Sequence, residues 1–194
     1  MRSLVASFVL LALLAGAPLL LGQDAAAKLN LDIEVPDHWV TELVSLEQEG
    51  GQAIRAVSPD KRLEALLYLA DPLSTAQREA LRAPERGAVE LLLPLVARLC
   101  PRARGADLAR AEVVYDALPL GGELAPAARI RLPYGKGAFV SVHVAALQRG
   151  EAALLVALVD AGVRGKLPSP ARVEAIRQAT DMLWKLRLAP AKQR

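Results

Sequence analysis

The sequence is poor in the residue types that most often carry chemistry. It contains one cysteine and two histidines among its 194 residues, and aromatic residues make up 4% of it. A single cysteine excludes an intramolecular disulfide and a multi-cysteine metal site. Two isolated histidines complete a common zinc site only with acidic partners that the sequence does not place. Few aromatic residues also disfavour a sugar-binding platform or a base-stacking surface. We therefore expect no metal and no cofactor.

Net charge and chain length exclude further classes of protein. The formal net charge is +3, which is too mild to suggest nucleic-acid binding. Hydrophobic residues make up 53% of the chain, so it is too apolar to be mainly disordered. A chain of this length buries one good core, and we expect a single domain.

The apolar residues are concentrated at the N-terminus. No charged residue lies between Leu4 and Leu21, and Arg2 precedes this stretch. A positive start followed by an apolar stretch is typical of a secretory signal peptide. The alternative is an uncleaved membrane anchor formed by residues 4–21, because 18 apolar residues are near the lower limit for a spanning helix.

Signal cleavage requires small residues at the −3 and −1 positions. Ala25 and Ala27 have this spacing, which places the cut after Ala27. The sequence therefore predicts a signal peptide over 1–27 and a single α+β domain over 28–194, in a protein that is periplasmic or extracellular.

Hydrophobic patterning predicts the secondary structure of the mature chain. Alternating or continuous apolar residues predict strands over 29–35, 39–46, 52–58, 62–70, 111–118, 128–132, 138–147 and 152–160. Ser58-Pro59-Asp60-Lys61 is typical of a tight turn between two of them. Residues 153–159 are apolar throughout, as in a central strand covered on both faces. Residues 119–126 are expected to form a loop containing glycine.

Two helices are predicted with defined starts. Pro84 begins the first, whose apolar stripe contains Leu92, Val96 and Cys100, with an expected kink at Pro94. Ser169 caps the second. Its expected buried stripe is Val173, Ile176, Ala179 or Thr180, and Leu183. Hairpin-connected strands with covering helices predict an α+β fold, in which helices cover a mainly antiparallel sheet as an α/β/α sandwich.

The order of these elements resembles the PsbP-like superfamily. The resemblance is carried by a strand ending at Val35 and followed by Pro36 and Trp39, by the Ser58-Pro59-Asp60 turn, by the hairpin over 138–160, and by a last helix with Trp184 near its end. It covers most of residues 29–188. It implies an antiparallel sheet between helices and a protein that binds protein partners, but it carries over no functional residue.

One cluster of basic residues is a candidate binding site. Arg98, Arg102, Arg104 and Arg110 surround the end of the first predicted helix. They are candidates for binding an anionic partner or a membrane surface, although cations there also complement the helix dipole. We expect an envelope protein as the partner, and contact with a membrane only if the N-terminal segment stays uncleaved.

Two arrangements are the alternatives for catalysis. Cys100 and His143 are the only thiol and imidazole pair worth considering, but Cys100 lies on an apolar helix stripe. Ser141 and His143 share one face of a predicted strand, with Asp116 as an acid, which is the basis of a hydrolase-like alternative. No Gly-x-Ser-x-Gly elbow supports that alternative.

The leading hypothesis is accordingly an exported, non-enzymatic binding or accessory protein with no catalytic residues. A hydrolase-like enzyme is one competitor. An envelope-anchored structural subunit is the other, if residues 4–21 are retained.

Overall fold

The strands follow the alternation of apolar and polar residues along the chain. A computed structural model describes residues 31–46, 51–104, 106–134, 138–163 and 167–188. The strands are β1 (Leu31–Asp32), β2 (Val40–Leu46), β3 (Gly51–Val57), β4 (Leu63–Ala70), β5 (Glu112–Leu120), β6 (Glu123–Tyr134), β7 (Ala138–Arg149), β8 (Ala152–Val163) and β9 (Arg187–Leu188). The predicted signal peptide lies outside the described residues, as does the alternative anchor.

Seven of these strands form one antiparallel sheet. Their order is β2-β3-β4-β8-β7-β6-β5, while β1 and β9 pair separately. β4 and β8 are neighbours at the centre, and residues 153–159 of β8 are buried. The prediction of a central, doubly covered strand is confirmed. The two predicted hairpins, β3–β4 and β7–β8, are also confirmed.

The helices lie on both faces of this sheet. They are α1 (Thr75–Ala80), α2 (Pro84–Leu99) and α3 (Pro170–Lys185), with a 3₁₀ turn over Leu108–Arg110. Ser74 forms a capping box at the start of α1, and Ser169 caps α3 as predicted. The predicted α+β fold with a mainly antiparallel sheet is confirmed. Among the described residues, no helix combines the length and the apolar composition that a membrane span requires.

The two faces carry separate cores. On one face α2 packs against β6, β7 and β8, with Leu92, Val96 and Cys100 buried as predicted. The helix continues through Pro94, which is exposed, and ends before Pro101. On the other face α3 packs against β4 and β5. Trp39 is buried on this side and donates its indole N–H to Gln178 Oε1 at 3.0 Å.

The predicted loop over 119–126 is wrong. β5 extends to Leu120, and only Gly121 and Gly122, both with positive φ, form the turn into β6. Pro119 lies on an edge strand, where proline is tolerated. Along β6, successive backbone nitrogens point alternately toward β5 and toward β7, and the two-residue turn sets the nitrogen of Pro126 toward β7. The pairing of β6 with β7 begins only at Ala127, so this nitrogen has no partner to lose. Neither proline therefore removes a ladder hydrogen bond.

The first predicted strand is shorter than expected. Only Leu31 and Asp32 of the described part pair, and they pair with β9 at the C-terminal end of the described chain. Ile33 is buried and Val35 packs against the same core without belonging to a strand. The alternation over 29–35 therefore reflects burial of one side of an extended segment.

The predicted buried stripe of α3 is wrong at its start. Val173 is 52% exposed and Ile176 is 38% exposed. The buried residues are Ala175, Ala179, Met182 and Leu183. Both sets satisfy a helical period, and the observed set places small alanines against the sheet, which lets the helix axis approach it closely.

This orientation of α3 is tested by two substitutions. We expect Leu183→Ala to lower the free energy of unfolding by about 2–5 kcal/mol, because it empties a fully buried site. Ile176→Ala should lower it by less than about 1 kcal/mol, because that side chain is already partly in water. Urea unfolding of both variants measures this, and equal losses would contradict the observed orientation.

Candidate functional site

A groove lies at one end of the seven-stranded sheet. It has a volume of about 980 Å³ and is lined by the last residues of β3, β6 and β8 and the first residues of β2, β4 and β7. α2 ends at Leu99, and Pro101 and Arg102 directly after it contribute to one wall. Residues 167–169 and the first turn of α3 contribute to another.

The lining combines two kinds of side chain. Its larger apolar residues include Val40, Val57, Tyr134, Phe139, Val140 and Leu167. Its charged residues are Arg55, Lys61, Arg62, Glu64, Arg102 and Arg172. The groove is therefore an apolar surface bordered mainly by cations.

The turn between β3 and β4 shapes the rim of the groove. The buried Ser58 hydroxyl donates to Asp60 Oδ1 at 2.6 Å and accepts the Leu63 N–H at 3.0 Å. The Ser58 carbonyl accepts the Lys61 N–H at 2.8 Å, and Lys61 has a φ of 58°. These bonds hold Lys61 and Arg62 at the rim.

The charge of Asp60 is stabilised within this turn. Burial by itself raises the pKa of the carboxyl. Hydrogen bonds from the Ser58 hydroxyl and the Arg62 N–H, together with the charges of Arg62 and Arg102, hold the pKa below its ordinary value. Asp60 is therefore an anion at neutral pH, and the cations at the rim lie near enough to influence it.

A buried carboxylate, that of Glu64, holds together the wall of the groove that contains Arg102. Glu64 is 2% exposed, and its Oε2 accepts Arg55 Nε at 2.9 Å and lies 2.8 Å from Arg55 Nη2. Arg102 Nε lies 3.8 Å from Oε1 of the same carboxylate. Arg55 also binds Glu42, with Nη1 and Oε1 2.6 Å apart. Burial lowers the pKa of Arg55, but hydrogen bonds to Glu42 and Glu64 raise it overall, so its charge is held.

The cation from α3 is paired as well. The guanidinium of Arg172 forms a mostly buried ion pair with Asp160 of β8. This pair connects the first turn of α3 to the end of a central strand. It positions Arg172 where it lines the groove.

Of the four arginines that the sequence predicts as a binding cluster, one lines the groove and three lie outside it. Arg102 lines the groove, while Arg98, Arg104 and Arg110 do not. Arg110 forms an exposed ion pair with Asp107 at 3.4 Å, and Arg98 lies in the last turn of α2. The predicted cluster therefore contributes Arg102 to the groove, and its other three arginines are exposed elsewhere on the surface.

Sequence reasoning missed the other cations of the groove. Arg55, Lys61, Arg62 and Arg172 are distant in sequence from the predicted cluster. One signal was present, because Glu64 interrupts the apolar run of β4 and a buried carboxylate requires a paired cation.

The residues of the hydrolase-like alternative lie outside the groove. Ser141 and His143 share the face of β7 that α3 partly covers, but no hydrogen bond joins these two described side chains. Asp116 binds Arg129 at 2.6 Å and lies on β5. Burial lowers the pKa of His143, and the charge of Arg129 lowers it further. The imidazole is therefore neutral at pH 7, without a hydrogen-bonded nucleophile.

Cys100 and His143 cannot act together, because the sheet separates them. Cys100 belongs to the core on the α2 face, whereas His143 alternates with residues of that core and so lies on the other face. Burial raises the pKa of the Cys100 thiol to about 12, and the nearby Glu64 charge raises it too. The thiol is protonated at neutral pH. Among the described residues, no group of three or more metal-ligating side chains is brought together.

Comparison with known proteins bears on the fold. No protein-family model and no curated protein matches the sequence. The structure is similar to that of LpqN, involved in cell envelope biogenesis of Mycobacterium tuberculosis, with a TM-score of 0.42 and 14% identity over 82% of this chain and 83% of that one. It is also similar to cyanobacterial PsbP (CyanoP) from Synechocystis sp. PCC 6803, with a TM-score of 0.43 and 10% identity over 83% of this chain and 88% of that one. Both likenesses concern the arrangement of strands and helices alone.

The buried carboxylate gives the first prediction for this site. Glu64→Gln should lower the free energy of unfolding by about 3–5 kcal/mol, because it leaves the charge of the mostly buried Arg55 only partly compensated. The control is Glu42→Gln, which removes a half-exposed partner of the same arginine and should cost about 0–1 kcal/mol. Urea unfolding at neutral pH measures both. Similar losses in the two variants would contradict the central role of Glu64.

The thiol gives the second prediction. A thiol reagent at pH 8 should label the folded protein hardly at all, because Cys100 is buried and its pKa is about 12. The same reagent should label one equivalent in denaturant. Rapid labelling of the folded protein, followed by mass spectrometry, would show instead that the thiol is accessible.

Proposed function

We propose that this chain is an exported, non-enzymatic accessory protein that binds an envelope protein at the sheet-end groove. The observation that carries the proposal is the gathering of exposed apolar side chains in one concave place. Val40 is 62% exposed, Tyr134 is 44% exposed and Leu167 is 93% exposed, and all three line the groove. Single exposed apolar residues are ordinary on a protein surface, whereas several lining one groove are typical of a binding site.

The groove also has the rigidity that a binding surface needs. Its rim is the hydrogen-bonded turn at Ser58, and one wall contains the ion pairs of Glu64. Another wall is connected to the sheet through Arg172 and Asp160. A surface held in this way loses little conformational entropy when a partner binds.

A binding role fits the placement of the candidate catalytic groups better than a reaction does. Ser141, His143 and Asp116 lie outside the groove, and Cys100 is buried with a raised pKa. Export is supported by the charge-free stretch from Leu4 to Leu21 after Arg2. Intact-mass measurement of the protein recovered from cells distinguishes a cleaved chain from one anchored by residues 4–21.

Capture from cells tests the function. A tagged full-length chain is cross-linked in its native host and recovered from the envelope fraction, either unchanged or with Val40→Asp and Leu167→Asp together. We expect the double variant to recover about tenfold less of the same partner protein, which corresponds to about 1.4 kcal/mol of binding free energy. The reason is that buried carboxylates without partners oppose docking on an apolar surface.

Two controls make the capture interpretable. Leu124→Asp changes a side chain that is 68% exposed and lies outside the groove, so its partner recovery should equal that of the unchanged chain. His143→Ala should also leave recovery unchanged. Full recovery by the groove variant would refute the assigned site, and a loss confined to His143→Ala would favour the hydrolase-like alternative.

A further inference from the structure

The cations that line the groove differ in how far they are already engaged. Arg55 is hydrogen-bonded to two carboxylates, and Arg172 forms an ion pair with Asp160. Arg102 approaches Glu64 only at 3.8 Å, beyond hydrogen-bond distance. Within the described part of the chain, the side chains of Lys61 and Arg62 form no ion pair or hydrogen bond. Three lining cations thus retain donors for a ligand.

The numbers of cations and carboxylates at the groove also favour an anionic ligand. The lining contains five cations and one carboxylate, Glu64. Counting Glu42, Asp60 and Asp160, which bind or lie near these cations from outside the lining, still leaves more cations than carboxylates. A groove with apolar walls and this excess attracts negative charge, because its walls exclude part of the solvent that screens it.

We infer that the groove recognises an acidic segment of a protein partner, in which carboxylates alternate with apolar side chains. This inference rests on the proposed function and adds the chemistry of the partner. Arg62, Arg102 and Lys61 would bind its carboxylates. Val40 and Val57 would contact its apolar side chains.

A peptide segment fits the groove better than a small anion does. The lining cations come from four places, namely β3 at Arg55, the turn at Lys61 and Arg62, the segment after α2 at Arg102, and α3 at Arg172. A small anion without apolar groups leaves the apolar lining uncovered, whereas a segment with several carboxylates and apolar side chains can contact both kinds of lining residue. The volume of about 980 Å³ lies at the upper end of the range for small-molecule sites, which also favours a larger occupant.

Binding of defined peptides to the purified full-length chain tests this chemistry. The probe is a fluorescein-labelled octapeptide of alternating aspartate and leucine, and binding is measured by fluorescence anisotropy. We expect the matched peptide with asparagine in place of aspartate to bind about tenfold or more weakly. Added salt should weaken binding of the aspartate peptide, because salt screens exposed charges.

Matched variants connect the binding to the groove. Arg62→Gln should weaken binding of the aspartate peptide about threefold to tenfold, since an interfacial charge pair is commonly worth about 1 kcal/mol. The control is Arg78→Gln, which removes an exposed arginine of α1 at the opposite end of β4. Arg78→Gln should leave the affinity unchanged. Equal thermal unfolding midpoints for the two variants show that both are folded.

Three results of the peptide assay would overturn the inference. They are equal binding of the aspartate and asparagine peptides, an Arg62→Gln variant with unchanged affinity, and full displacement of the peptide by inorganic phosphate. Tighter binding of dodecyl phosphate than of the peptide would also overturn it and indicate a lipid-like ligand.

The capture experiment and the peptide-binding experiment can give opposite results, so a failure of the inference is distinguishable from a failure of the proposed function. If the groove variant loses its partner in cells while the peptides show no preference for charge, the proposed function stands and the acidic segment is refuted. If partner recovery is unaffected while the aspartate peptide binds at Arg62, the site has the inferred chemistry and the proposed function is refuted.

Discussion

The burial of one carboxylate determines how the groove is built. Glu64 stands in a central strand between apolar neighbours, and removing an ionised carboxylate from water costs several kcal/mol unless cations compensate it. Arg55 of β3 provides two close contacts, and Arg102 approaches from the segment after α2. The need to neutralise Glu64 therefore brings two separate parts of the chain to one wall. The positive charge of this wall follows from the same requirement.

Interactions between residues close together in the sequence were sufficient to predict much of the fold. The β3–β4 turn follows from Ser58, Pro59 and Asp60, whose preferred backbone conformations and hydrogen bonds are determined by their nearest neighbours. The central position of β8 follows from its continuous apolar run, since only a strand covered on both faces tolerates one. In these cases the relevant interactions lie within one hairpin or one strand.

Features that depend on distant contacts were not predictable in this way. Proline and glycine between 119 and 126 are typical of a loop, and only the position of β5 at the sheet edge allows a strand there. The buried side of α3 depends on how closely Ala175 and Ala179 approach the sheet, and two stripes satisfy the same period. The groove gathers Arg62, Arg102 and Arg172 from three segments, so their proximity exists only in the folded chain.

The sheet also determines which parts of its surface the helices leave uncovered. α2 and α3 cover much of its two faces, and the sheet itself separates Cys100 from His143, so these two side chains never meet. The ends of the strands lie beyond the last turn of α2, and there apolar side chains and cations remain together at the surface. Cys100 is buried in one of the two cores, while the groove keeps an amphipathic surface, which is the surface on which the proposed function depends. Because the cations stand on a hydrogen-bonded turn and on ion-paired walls, the arrangement that the proposed partner would meet exists before it binds.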